Sequence, residues 1–165
     1  MSVDGLAWHC VWTLEKWKGE VDSVEARKRG EAPYETRIVD GNLGLNEGLN
    51  AACLLIVGQT ATPYNAANAR IGVGDSTVAA SATQVDLQAG LNKLYVGMNA
   101  SFPSVSGQTM TFQSDFSTSQ ANFAWQEWTI DNGATSHLNL NRKVQSLGTK
   151  PNTETWTLTG TITLA

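Results

Sequence analysis

The sequence predicts a mainly β protein: an antiparallel β-sandwich, jelly-roll-like, with one short α-helix. Three observations predict it. The first is the end of the chain. From Thr153 to Leu164, residues Trp156, Leu158, Gly160, Ile162 and Leu164 share one parity, and Thr155, Thr157, Thr159, Thr161 and Thr163 share the other. Period-two alternation marks a strand with one face in a core and one in water, and threonine suits the wet face. The second is spacing: strand-like runs recur roughly every 10–15 residues between polar turns. The third is composition. Only 16% of the 165 residues are charged, below the usual quarter or so.

In chain order, Ala7 to Leu14 alternates as a strand with Trp8, Cys10, Trp12 and Leu14 on one face. From Glu15 to Glu31 the composition changes, and ten of the chain's 26 charges fall there, with a basic knot at Arg27, Lys28 and Arg29. Such a run reads as a solvated arm, or as an arm that orders on a partner surface. Trp17 within it favours the partner, since an exposed tryptophan needs a reason. Tyr34 to Val39 is a second strand. Leu45 to Val57 is the one helix, with Leu45, Leu49, Ala52, Cys53 and Ile56 on one stripe, Asn42 or Asn46 as cap and Gly58 as stop. Ala69 to Thr77 is a strand running into turn glycines. A polar helical turn is expected near Thr83 to Leu87. Later strands cover Leu94 to Met98, Gln108 to Ser117 and Asn122 to Asp131, with Asn132-Gly133 as a hairpin signal before Leu138 to Val144. The expected organisation is an N-terminal strand and charged arm over 1–40, and a β-sandwich domain over 41–165 with its helix near 45–57.

No chemistry assembles in the sequence. Gly72 and Gly74 lack the third glycine of a dinucleotide fingerprint, because Thr77 occupies it. His9 and His137 have no neighbouring ligand at metal spacing. Asp115, Glu127 and Asp131 offer carboxylate pairs, but Glu127 is better read as the ion-pair partner of Arg142 or Lys143. Cys10 and Cys53 read as buried free thiols rather than a disulfide. No catalytic, cofactor-binding or metal residues are therefore expected, and no enzyme activity. The net charge of −4 argues against nucleic acid. No apolar run is long enough to span a membrane, and the N-terminus has no secretory pattern.

Five segments together resemble a family of small structural proteins of tailed bacteriophages: Asn42 to Leu49, Asn65 to Ser76, Ala121 to Trp128, Leu140 to Lys143, and Trp156 to Thr159. The resemblance runs from about Trp8 to the C-terminus. It implies a non-enzymatic virion component, assembled in the host cytoplasm, whose partners are the major capsid protein or tail proteins. The expected function is that of a capsid decoration or cement protein on the head exterior. A homo-oligomer is expected, and a trimer would suit a site between capsomers. The expected partner interface is Trp8, Trp12, Trp17, Arg27, Lys28 and Arg29. Two alternatives stay open: a tail, connector or fibre-base protein, and a carbohydrate-binding module using Trp128 or Trp17.

Overall fold

A computed structural model of the chain describes residues 8–133 and 137–165. In chain order its elements are β1 (Trp8–Lys18), α1 (Ser23–Lys28), β2 (Glu35–Asp40), β3 (Leu43–Gly44), α2 (Asn46–Ile56), β4 (Arg70–Gly74), β5 (Lys93–Gly97), β6 (Ser104–Ser106), β7 (Thr109–Phe116), β8 (Ala124–Asp131), β9 (Asn141–Thr149) and β10 (Glu154–Leu164). They form two five-stranded antiparallel sheets, ordered β2-β1-β10-β7-β6 and β3-β9-β8-β4-β5. This is the antiparallel sandwich that the sequence predicts.

β10 is the centre of the first sheet. It pairs with β1 from Trp8↔Leu164 to Lys18↔Glu154 and with β7 from Trp156↔Phe116 to Thr163↔Thr109. Its inward parity, Trp156, Leu158 and Ile162, meets Ile71, Val73, Trp125, Trp128 and Ile130 of the second sheet in one core. Gly160 lies on that parity because Trp12 needs its space: a Cβ there would fall 2.9 Å from the indole Cζ3. Edge-to-face contacts tie the sheets together, with Trp12 and Trp128 at 6.0 Å and Trp125 and Trp156 at 5.0 Å between centroids. Such pairs contribute about 0.5–1.5 kcal/mol each beyond the area they bury.

The stretch from 15 to 31 is not an arm. β1 runs on to Lys18, and a second helix, α1, follows with Asp22 as its side-chain cap on Glu25 N. The division at residue 40 also runs through the first sheet, since β1 lies between β2 and β10. The segment folds over the outer face of β10, so that face is not uniformly wet. Thr155 and Thr157 are fully buried there. Thr157 Oγ1 donates to Asp115 Oδ1 (2.6 Å) and accepts from Trp17 Nε1 (3.1 Å). Thr155 Oγ1 donates to Gly19 O (2.9 Å) and accepts from Val21 N (3.0 Å). A threonine can be covered this way because its hydroxyl keeps both a donor and an acceptor satisfied.

α2 also differs from its expected packing. Its inward residues are the small ones, Gly48 and Ala51. The helix presses so close to the second sheet that a Cβ on Gly48 would lie 2.3 Å from Leu140 Cα. Close approach selects small side chains, and this turns Leu49, Cys53 and Ile56 of the expected stripe outward. Leu45, whose side chain makes no capping bond, holds the N-cap position in place of Asn42 or Asn46 and is buried. Gly58 ends the helix at φ +72°, as expected.

Three turns also differ from those expected. Gly72 and Gly74 are strand residues of β4, not turn glycines, and they make room for the Tyr95 ring and for Glu127. Asn132-Gly133 does not close a tight hairpin, because β9 resumes only at Asn141; residues 134–136 of that connection lie outside the described residues. Thr83 to Leu87 forms no helix. Both thiols are free, but only Cys10 is buried. Burial pushes its thiol up to about 12, against a smaller opposing pull from Lys143.

Candidate partner interface

The expected interface residues part ways in the structure. Trp12 is 1% exposed and Trp17 3% exposed, so neither ring is available to a partner. Trp17 breaks the inward parity of β1 and points to the outer face, where its indole N–H reaches Thr157 and Arg27 lies over its ring. Arg27 turns inward: it pairs with Glu15 and donates to Ser23 O (3.2 Å) and Gln113 Oε1 (3.3 Å). Trp8 is half-buried against the edge of the core. Only Lys28 and Arg29 face outward, and they pair locally with Glu25 (2.7 Å) and Glu31 (2.6 Å). Arg27, Lys28 and Arg29 thus pair with carboxylates of their own segment, while Lys16 and Lys18 pair with Glu35 and Glu154 outside it. Trp128 is also fully buried, so neither tryptophan proposed for sugar stacking can reach a glycan.

At the Lys18 end of β1 lies a junction centred on Glu154, which is 7% exposed. Burial raises the carboxyl's pKa. Hydrogen bonds from Lys18 Nζ (2.6 Å), Trp156 Nε1 (2.9 Å) and Tyr34 Oη (2.7 Å) outweigh it and hold the carboxyl down at about 2. The folded state therefore binds this proton less readily than the unfolded chain, whose carboxyl titrates near 4.5. The resulting stabilisation, roughly 3 kcal/mol, is complete above that range and is lost as pH falls toward about 2. Glu154→Gln is expected to flatten the stability curve between about pH 4.5 and 2. Urea unfolding at a series of pH values checks this. A variant curve parallel to wild type across the window contradicts it.

At the start of α1, Glu20, Val21, Asp22, Asn99, Ala100, Asp115 and Ser117 line an open cavity of about 390 Å³. Sequence reasoning missed it, since its walls come from three separate stretches. Its carboxylates are already engaged. Asp115 accepts from Ser23 N (2.8 Å), Ser23 Oγ (2.7 Å) and Thr157 Oγ1 (2.6 Å), and Glu20 from Thr118 N (2.8 Å). Lys150, just behind, donates to Ser117 O (2.7 Å) and Asn122 Oδ1 (2.9 Å), and burial pulls its pKa down to about 8.

The second sheet carries two buried ionic junctions. Glu127 and Arg142 are both fully buried and meet at 2.6 Å, as the pairing read from the sequence expects. Glu127 also accepts from Gln88 N (3.0 Å) and Ala89 N (2.7 Å), and Arg142 donates to Gln84 Oε1 and Val78 O (2.9 Å each). Together they strap the long 75–92 connection onto the sheet. Nearby, buried Asp131 takes Arg70 in a two-pronged pair, and His137 Nδ1 lies 3.0 Å from Asp131 Oδ2. Tyr95 stacks edge-on to His137 at 5.4 Å and donates to Asp86. Each of these groups is committed to holding a loop to a strand. Among the described residues no group of three or more His, Cys, Asp or Glu converges on a metal position. No family model matches the chain, and no curated protein or solved structure is similar to it.

Proposed function

We propose that the chain is a bacteriophage virion structural protein that decorates and cements the exterior of the head. One observation carries the reading: the five segments behind the phage resemblance, scattered through the sequence, meet in space as one scaffold. Gly48 of the first presses on the backbone of Leu140 in the fourth. Val73 of the second pairs with Trp128 of the third. Glu127 of the third binds Arg142 of the fourth. Trp125 of the third packs on Trp156 of the fifth at 5.0 Å. A resemblance made of framework residues supports a structural role, because what it preserves is a rigid shape and not a reactive group.

The mechanism is linkage. A rigid subunit that binds the assembled lattice but not free capsid protein shifts the equilibrium toward the intact shell, by an amount set by its free concentration over its Kd. The partners are the major capsid protein and further copies of this chain. With Trp12 and Trp17 inside the fold, the contact surface falls on Lys28, Arg29, the Trp8 edge and exposed side chains elsewhere. Co-sedimentation with separated heads and tails tests the position. The expected result is saturable binding to heads. Binding to tails alone supports the tail, connector or fibre-base alternative and overturns the head assignment.

A further inference from the structure

β2 is the longest of the four strands that end the two sheets, with six residues against five in β5, three in β6 and two in β3. It pairs with β1 on one side only. At the end of that ladder Gly41 N donates to Cys10 O (2.8 Å). Bonding positions alternate along an antiparallel pair. The backbone of Val39, Arg37 and Glu35 therefore faces β1, and Thr36 and Ile38 turn their N–H and C=O groups to the open edge. Such an edge is a template for another strand. Ile38 is 67% exposed and the Glu35 side chain 45%. Charge sets this strand apart. Of the chain's eleven Lys and Arg side chains, eight pair with carboxylates. Lys143 and Lys150 donate to carbonyl oxygens. Among the described residues only the half-buried Arg37 has neither kind of partner.

We infer that two copies of the chain associate here, β2 against β2 across a two-fold axis at Thr36, so that the first sheet continues through both. The outward bonding groups fix which residues oppose one another, and charge selects among the registers they allow. Centred on Thr36, Glu35 of each copy stands across from Arg37 of the other. Both lie on one face, at a position between backbone bonds, where opposing side chains come closest. The ion pair is made twice, as an isologous interface requires. Lys16 holds Glu35 Oε1 (2.8 Å) and leaves Oε2 for the second copy's arginine. Centred on residue 35, Glu35 would oppose Glu35; centred on residue 37, Arg37 would oppose Arg37. Centred on Ile38, no charges pair. In the Thr36 register the two Thr36 residues exchange both backbone bonds. Charges on an edge strand ordinarily repel another chain. A strand laid antiparallel on this one must carry an acid and a base in the order that β2 itself carries, and that names a second copy.

Six residues a side bury less than the standard interface of about 1,600 Å², so a micromolar or weaker dimer is expected. The contact gives a surface to the self-association in the proposed role, and the two are tested apart. Free protein without capsids tests the dimer; capsid binding tests the virion role.

The test is sedimentation velocity of the full chain from micromolar to submillimolar concentration, with melting curves to confirm folding. Wild type is expected to move from one chain mass to two. Thr36→Pro removes an N–H that faces the open edge and takes no bond from β1, so it should leave a folded single chain. Arg37→Glu and Glu35→Arg should each weaken self-association about tenfold or more. An equimolar mixture of these two variants should restore it, because each then meets the opposite charge at both positions. A single chain mass for wild type at the highest concentration, or a three-chain species, overturns the proposal. So does a dimer that survives Thr36→Pro, or a mixture that associates no better than its two components alone.

Discussion

Arg142→Met is expected to destabilise the protein by about 3–5 kcal/mol, because it leaves the Glu127 carboxylate buried without its counter-charge. Both side chains are fully buried, and Arg142 meets Glu127 through Nε (2.7 Å) as well as Nη2 (2.6 Å). The guanidinium also holds Gln84 and Val78 of the 75–92 connection. Its loss therefore unties that connection and strands a charge at once. The double replacement Glu127→Gln with Arg142→Met removes the stranded charge and is expected to cost well under the sum of the single changes. Urea unfolding followed by tryptophan fluorescence measures the cycle. Additive costs would show that the pair is not coupled as its geometry requires.

Trp156→Ala is expected to cost about 3–5 kcal/mol. The ring is 2% exposed and packs on Trp125, which in turn packs on Phe116 at 4.7 Å. Its indole N–H is one of the three donors to Glu154, so the cavity also loosens that junction. The residue after it separates the structure from the simple two-face pattern. Thr157→Ala removes the acceptor of the Trp17 indole and a donor to Asp115, and should cost about 1–3 kcal/mol. Thr161→Ala, half-buried on the same face beyond α1, should stay within about 0.5 kcal/mol. Equal shifts at 157 and 161 would contradict the covering of β10 by residues 19–31.

Period-two alternation is a statement about one strand and its two faces, and it placed the inward residues of β1 and β10 correctly. It says nothing of what a later segment lays across the outer face. The signal for that cover was Trp17, which sits on the threonine side of the β1–β10 pair and needs a roof. Charge density concealed it, because ten charges in 17 residues read as solvated when in fact Arg27, Lys28 and Arg29 each find a carboxylate nearby. The helix was legible as a helix, but its facing was not. A hydrophobic stripe assumes that large apolar residues point inward, whereas α2 packs through Gly48 and Ala51 at contact distance. The Glu127–Arg142 pair was legible because a carboxylate between two strand tryptophans needs a counter-charge on a neighbouring strand. The cavity beside α1 was not, since Glu20, Asn99 and Asp115 are joined only by the fold.

The claim that the chain cements a capsid is tested most directly by the stability of heads that carry it against heads that lack it. The same preparation is stripped of the protein, divided, and half is replenished; both halves are then heated while DNA release is followed. The proposed role predicts that replenished heads release DNA at a higher temperature and that the gain grows with free protein until the sites are full. Identical release curves, with the added protein left in the supernatant, would contradict it.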